Sequence, residues 1–269
     1  MRLPADIGIS TDPYDPLPLA AALDRAARFA DLVEIGSYGE HSLAIAANRT
    51  VALESGLRLT VHGPYWGLDI ASLDERTRRV AVETHLLHLE GAAAVGARCY
   101  VVHPDYSLPA RPRSGRVMAA LQRSLAELEE VQRDCPTAIT VENMPDVAHS
   151  HFVTPDDVRI GRLGLTLDIG HAVIAGAAPR WLDDPPPQLV HVHLHDNHGP
   201  GDVADPHLPL GDGCLDAAAT IGAVRRAGAT MILEMLDETA VRRSLAHLDR
   251  LGLLDDERLR RPEADLLEA

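Results

Sequence analysis

Leu189-Val190-His191-Val192-His193-Leu194-His195-Asp196-Asn197 is an apolar, strand-like run that finishes on side chains able to hold a metal. Reading toward the N-terminus, the same ending recurs. Leu163–Asp168 closes on Leu-Thr-Leu-Asp168, with His171 three residues on. Ala138–Glu142 closes on Ile-Thr-Val-Glu142, Cys99–His103 on Tyr-Val-Val-His103, and Leu57–His62 on Leu-Thr-Val-His62. Toward the C-terminus, Thr230–Glu234 closes on Met-Ile-Leu-Glu234. With Asp6–Ser10 and Leu32–Gly36 these runs make eight predicted strands.

Helical periodicity fills the intervals. Leu17–Ala30, Leu73–Val95, Met118–Val131 and Ala217–Ala227 carry apolar residues at 3.6-residue spacing. Ser72 with Glu75 reads as a capping box, and Thr154-Pro155 followed by two aspartates reads as a helix start. Gly56, Gly96 and Gly228 fall where helices should stop. Alternating strands and helices with near-continuous apolar strand interiors predict a parallel sheet covered by helices. Eight strands close a barrel, and only a closed barrel brings six strand ends, 25 to 41 positions apart, around one mouth. The expected fold is therefore α/β, a single (β/α)₈ barrel over residues 1–254, with 255–269 a charged tail.

A lone histidine at a strand end is an ordinary hydrogen-bonded residue. Six metal-competent residues ending six consecutive strands are a site, because clustered carboxylates repel one another unless cations lie between them. The loop after Leu189–His195 adds Asp205-x-His207, an i, i+2 pair able to face one ion. Gly211 and Gly213 suit a tight turn into a helix starting near Asp216.

The chain of 269 residues suits one barrel of ordinary size. No apolar stretch approaches the roughly 20 residues of a membrane span. The first ten residues lack a secretory profile, so a cytoplasmic location is expected. All 25 basic residues are arginine, which excludes lysine Schiff-base chemistry. A net charge of −15 argues against nucleic acid or an anionic membrane as partner. Cys99, Cys135 and Cys214 show no metal-binding spacing, and Cys214 is expected to be a small buried residue. Nothing in the sequence speaks to the oligomeric state.

Together, His62, His103, Glu142, Asp168-x-x-His171, His193 of His-Leu-His-Asp, the Asp205-x-His207-x-x-Leu-Gly-Asp-Gly loop and Glu234 resemble the endonuclease IV branch of the xylose isomerase-like TIM barrels. The resemblance covers residues 5 to 254. It implies up to three divalent metals: one on His62, His103 and Glu142; one on Glu142, Asp168, His193 and Glu234; one on His171, Asp205 and His207. The donors are nitrogen and oxygen only, so Zn²⁺, Mn²⁺ and Fe²⁺ all suit them. The chain departs from the DNA-repair enzymes at Tyr65-Trp-Gly-Leu-Asp, at Asn197-His198-Gly199, where they carry a lysine, and at Gly36–His41, which lacks their duplex-gripping residues.

Two activities follow. A multinuclear site can hydrolyse a small anionic substrate such as a phosphoester, because three dications outweigh four carboxylates. A mononuclear site on Glu142, Asp168, His193 and Glu234 would isomerise or epimerise a sugar, the two glutamates moving the proton and His171 touching substrate. His62, His103, Asp205 and His207 are surplus to the second activity and favour the first. A DNA-repair nuclease is expected less than either, and a non-catalytic barrel less still. Arg111 and Arg113 are candidates for a distal phosphate, although solvated loop charges are the simpler reading. His149 and His151 are candidate substrate contacts, and His195 a partner behind the metal ligands. His41, His85, His88 and His247 read as surface or packing residues.

Overall fold

The computed structural model describes residues 1–105, 112–202 and 204–254. Eight parallel strands close into one barrel in sequence order: β1 (Ile7–Ser10), β2 (Leu32–Gly36), β3 (Arg58–His62), β4 (Cys99–Val102), β5 (Ala138–Glu142), β6 (Gly164–Asp168), β7 (Leu189–Leu194) and β8 (Thr230–Leu233). β1 pairs with β8 through Ile7 opposite Met231, which seals the ring. The expected (β/α)₈ fold is present, and each strand lies within a residue of its predicted bounds.

Eight α-helices are described: α1 (Leu19–Ala26), α2 (Ala46–Glu54), α3 (Glu75–Ala94), α4 (Gly115–Gln132), α5 (Ile169–Ile174), α6 (Ala178–Asp183), α7 (Ala217–Ala227) and α8 (Glu238–Arg250). Their inner faces, such as Leu121, Leu125 and Leu128 of α4, pack on Ile139, Val141 and Leu165 of the barrel wall in one apolar layer. The helices are not evenly dealt. Among the described residues, β5 is followed only by a 3₁₀ turn, Pro155–Asp157, while β6 is followed by both α5 and α6. The helix expected after Thr154-Pro155 stops at one turn because Asp157 reaches back to the Thr154 amide at 3.0 Å and Val158 is already extended.

The predicted Ser72 cap is also corrected. Asp74 is the N-cap of α3 and accepts the Thr77 amide at 2.8 Å, whereas Ser72 accepts the Asp74 amide one turn earlier. Asp216 caps α7 as expected. Gly56, Gly96 and Gly228 take positive φ, the left-handed exit that side chains disfavour. Among the described residues no helix is long and apolar enough to cross a membrane. The tail assigned to 255–269 lies outside the described residues.

Candidate metal centre

Because every strand runs the same way, every predicted strand-end residue emerges at one rim. His62, Glu142 and Asp168 are the last residues of β3, β5 and β6; His103 and Glu234 directly follow β4 and β8; His193 lies one residue inside the end of β7. Glu142 is central. Its Oε2 lies 3.2 Å from both His62 Nε2 and His103 Nε2, and its Oε1 lies 3.5 Å from His171 Nδ1 and His193 Nδ1. His193 Nδ1 also faces Glu234 at 3.3 Å and Asp168 at 3.9 Å.

Asp168 has a second task. It is the N-cap of α5 and accepts the His171 amide at 2.6 Å, satisfying a free helix-end N–H and setting His171 one turn on. Asn143 ties β5 to β6 through the Asp168 backbone, at 2.7 and 3.0 Å. Its carbonyl accepts from His171 Nδ1 at 2.8 Å, which leaves His171 Nε2 to face Asp205 at 3.0 Å.

The long loop after β7 brings the last pair. Asp205 and His207 both adopt left-handed backbone, with φ of 41° and 45°. His207 Nε2 lies 3.3 Å from the Asp205 carboxylate, and its ring stacks on His195 at 3.8 Å between centroids and 8° between planes. His195 in turn donates to Asp168 at 3.1 Å, which is the backing position expected for it. Asp196 holds the loop's shape. Its buried carboxylate accepts the amides of Asn197, Gly211 and Gly213 at 3.0 Å and of Leu215 at 2.9 Å. A Cβ on Gly213 would sit 2.1 Å from the Asn197 carbonyl, so the loop closes only with glycine there.

The protein alone balances these charges by protonating histidines. Burial opposes a charged His171, yet Asp168 and Asp205 raise it to about 10. His62 and His207 rise to about 9 against the same burial penalty, through Glu142 and Asp205 respectively. Glu142 faces the burial penalty too, but His103 and His193 hold it well below the carboxylate range. Burial pushes Glu234 up to about 7 despite the pull of His193. Some donors stay without a hydrogen bond: His193 Nδ1, His103 Nδ1 and Asp205 Oδ1 are buried orphans. Orphaned imidazole and carboxylate atoms facing one another are what a divalent cation satisfies. Groups of donors within 4.8 Å of one another include His62–Glu142–His193, Asp168–His193–Glu234, Glu142–Asp168–His171 and His171–His195–Asp205–His207. The residues therefore fit metal.

The open side of the mouth is a cleft of about 210 Å³ whose far wall is Asp12, Tyr38 and Tyr65. The Tyr38 hydroxyl donates to Asp12, and Tyr65 stacks on His103 at 4.7 Å. Sequence reasoning missed Asp12, Tyr38 and one deeper group, Glu34, which meets His191 inside the barrel. A lone glutamate in Leu32-Val-Glu-Ile-Gly36 was the available signal, since charges buried in parallel strands need partners. Cys214 is exposed rather than buried, because the turn built on Asp196 lifts it outward. His151 is spent on Asp105 and the Ser114 amide, and His149 pairs with Asp146 away from the donors. Arg113 pairs with Asp157 at 2.7 Å, and Arg111 lies outside the described residues. His41, His85 and His88 are buried packing residues.

Residues 30–251 match the family described as xylose isomerase-like TIM barrel. An uncharacterized protein of Methanocaldococcus jannaschii is 31% identical over 201 residues, 74% of this chain and 78% of its own. A probable endonuclease 4 of Mycobacterium leprae is 28% identical over 236 residues, 82% of this chain and 90% of its own. Among solved structures, a D-tagatose 3-epimerase-like protein superposes with a TM-score of 0.80 at 26% identity, covering 93% of this chain and 98% of that one.

Proposed function

The chain belongs to the xylose isomerase-like TIM barrel family, and within that family we propose that it is a metal-dependent hydrolase of a small anionic substrate such as a phosphoester. The observation that carries the reading is the loop-borne cluster, His171, Asp205 and His207, beside the strand-borne donors. Proton transfer next to a carbonyl needs one cation and two carboxylates, so two left-handed residues held in a dedicated loop are surplus to it.

In this reading His62, His103 and Glu142 hold one ion, Glu142, Asp168, His193 and Glu234 a second, and His171, Asp205 and His207 a third. The ions are Zn²⁺, Mn²⁺ or Fe²⁺, two or three per chain. Bound there, they would supply an acidified water and neutralise charge on the scissile group. The chain's own residues do the rest. Glu142 would belong to both the first and the second ligand set. Tyr38 and Tyr65 close the cleft opposite the donors and orient the substrate's uncharged part. Since no arginine lines the cleft among the described residues, the metals themselves must recognise the anion. A duplex substrate is disfavoured by the charge of −15.

The second reading, a sugar isomerase or epimerase, is favoured by the approach of both Glu142 and Glu234 to His193 and by the 26% identical epimerase-like structure. Elemental analysis of protein purified without chelators separates the two. Two or three ions per chain, with phosphate release from a phosphoester panel, support the hydrolase. One ion per chain, with solvent deuterium entering a substrate C–H, sinks it in favour of the isomerase. Cleavage of abasic duplex DNA at low salt would move the assignment to a repair nuclease.

A further inference from the structure

Glu34 sits in the middle of β2, fully buried, and the proposed ligand sets leave it without a task. A carboxylate sealed inside a barrel costs several kcal/mol in lost hydration unless donors meet it. Two histidines face it, both from β7, three places round the ring (β2, β1, β8, β7). Glu34 Oε2 is hydrogen-bonded to His191 Nε2 at 2.8 Å, and Oε1 lies 3.0 Å from His193 Nε2, close but out of hydrogen-bond alignment, the two atoms having no other partner. These histidines are alternate residues of one strand, so both side chains project inward and one carboxylate can serve both.

The far side of each ring is also accounted for. His191 Nδ1 lies 2.9 Å from the Thr230 hydroxyl. His193 Nδ1 faces Glu234, Glu142 and Asp168. This orientation sets His193 apart from its neighbours. His62 spends Nδ1–H on the Gly63 carbonyl at 2.8 Å, and His171 spends Nδ1–H on the Asn143 carbonyl, so both turn Nε2 to the mouth. His193 is turned the other way, with Nε2 pointing down the barrel at Glu34.

We propose that Glu34 is a positioning residue: it holds His193 with its proton on Nε2 and its Nδ1 lone pair aimed at the metal, and locks His191 as the same tautomer against Thr230. An imidazole ligand whose second nitrogen donates to a carboxylate is fixed in tautomer and rotation, and losing such a partner lowers metal affinity about 10- to 100-fold. The glutamate is thus the floor on which the second proposed metal set rests, and the inference depends on that metal reading.

The test uses zinc, the full chain and the variant Glu34→Gln, whose amide offers one acceptor and one donor and cannot accept from both rings. Competition with a chromophoric chelator is expected to show 10- to 100-fold weaker binding at one site, with circular dichroism unchanged. Long-range ¹H–¹⁵N spectra of the zinc-loaded wild type are expected to show His193 protonated on Nε2 and coordinated through Nδ1. Equal zinc affinity in the variant, or His193 coordinated through Nε2, overturns the proposal. If the variant does not fold, the wild-type spectrum decides alone. A wild type that takes up no zinc, manganese or iron fails the metal reading instead. In that event the His191 proton in metal-free protein still judges Glu34: on Nε2 the lock stands, on Nδ1 it falls.

Discussion

The donors at the mouth come from two kinds of backbone, and the two are supported differently. Glu142, Asp168 and His193 ride in the parallel ladder, His193 paired on both sides and the two carboxylates on one, and the strands are backed by apolar packing, so the barrel that holds them would exist without them. Asp205 and His207 ride in a loop, each in a left-handed conformation that costs about 1–2 kcal/mol outside glycine. That cost is offset by one residue, Asp196, whose carboxylate gathers four amides of the same loop. Strand-borne donors therefore inherit their geometry from the fold, whereas loop-borne donors depend on a local device. The two halves should fail independently.

The largest expected effect comes from the residue that joins them. Glu142 touches His62, His103 and His193 on the strand side and His171 on the loop side. Glu142→Ala should lower kcat/KM by at least about 10³-fold and reduce the metal content, measured on the same preparation. Full activity in that variant would sink the whole site assignment.

Asp196→Ala breaks the loop half alone. Four amides lose a charged acceptor in a buried setting, for a loss of about 2–4 kcal/mol in urea unfolding. Metal content should fall by one ion while the strand-borne ions stay. Loss of every ion would show that the halves are one unit and erase the contrast.

A finer cut is Gly170→Ala. Alanine is the better helix former by about 1 kcal/mol, so in an open helix the change would stabilise. Here the new Cβ would lie 1.9 Å from His195 Cε1, far inside contact distance. The ring must move off Asp168 and His207, disturbing the place where the two halves touch. The expected result is lower stability and weaker metal binding, each read on one titration; a more stable variant with unchanged binding would refute the close approach.

The same division governs what could be read from the sequence. Strand-borne residues were legible because a buried parallel strand is an apolar run, and the first polar residue after it marks the rim. Closure of the ring then does the rest. Glu34 and His191 escaped for a related reason: they lie inside the run, 157 positions apart, and only the closed barrel makes them neighbours. Asp205-x-His207 could be noticed as a pair, but its left-handed backbone could not, nor could the role of Asp196, which acts on amides rather than side chains. Cys214 was misjudged on the same loop, since burial there follows the turn and not the residue type.

The smallest expected effect tests the backing of the strand half. His85 of α3 is sealed behind β3 and β4, its Nδ1 3.0 Å from the Tyr100 hydroxyl. Burial, reinforced by the His103 charge, pulls it down to about 3. The folded pKa is depressed below the unfolded value near 6.5, so the neutral form's contribution is whole above pH 6.5. It drains away as the pH falls toward 3, at up to about 1.4 kcal/mol per pH unit, because the unfolded chain takes up a proton that the folded one refuses. Other carboxylates titrate over the same range, so the wild-type slope alone says little. The difference from His85→Gln isolates the residue: on chelator-treated protein the wild type's advantage over the variant should be larger at pH 7.5 than at pH 5, because the wild type loses stability faster on acidification. Parallel curves between pH 7.5 and 5 would mean that His85 accepts its proton in the folded state, and that the wall behind His62 and His103 is wetter than its burial indicates.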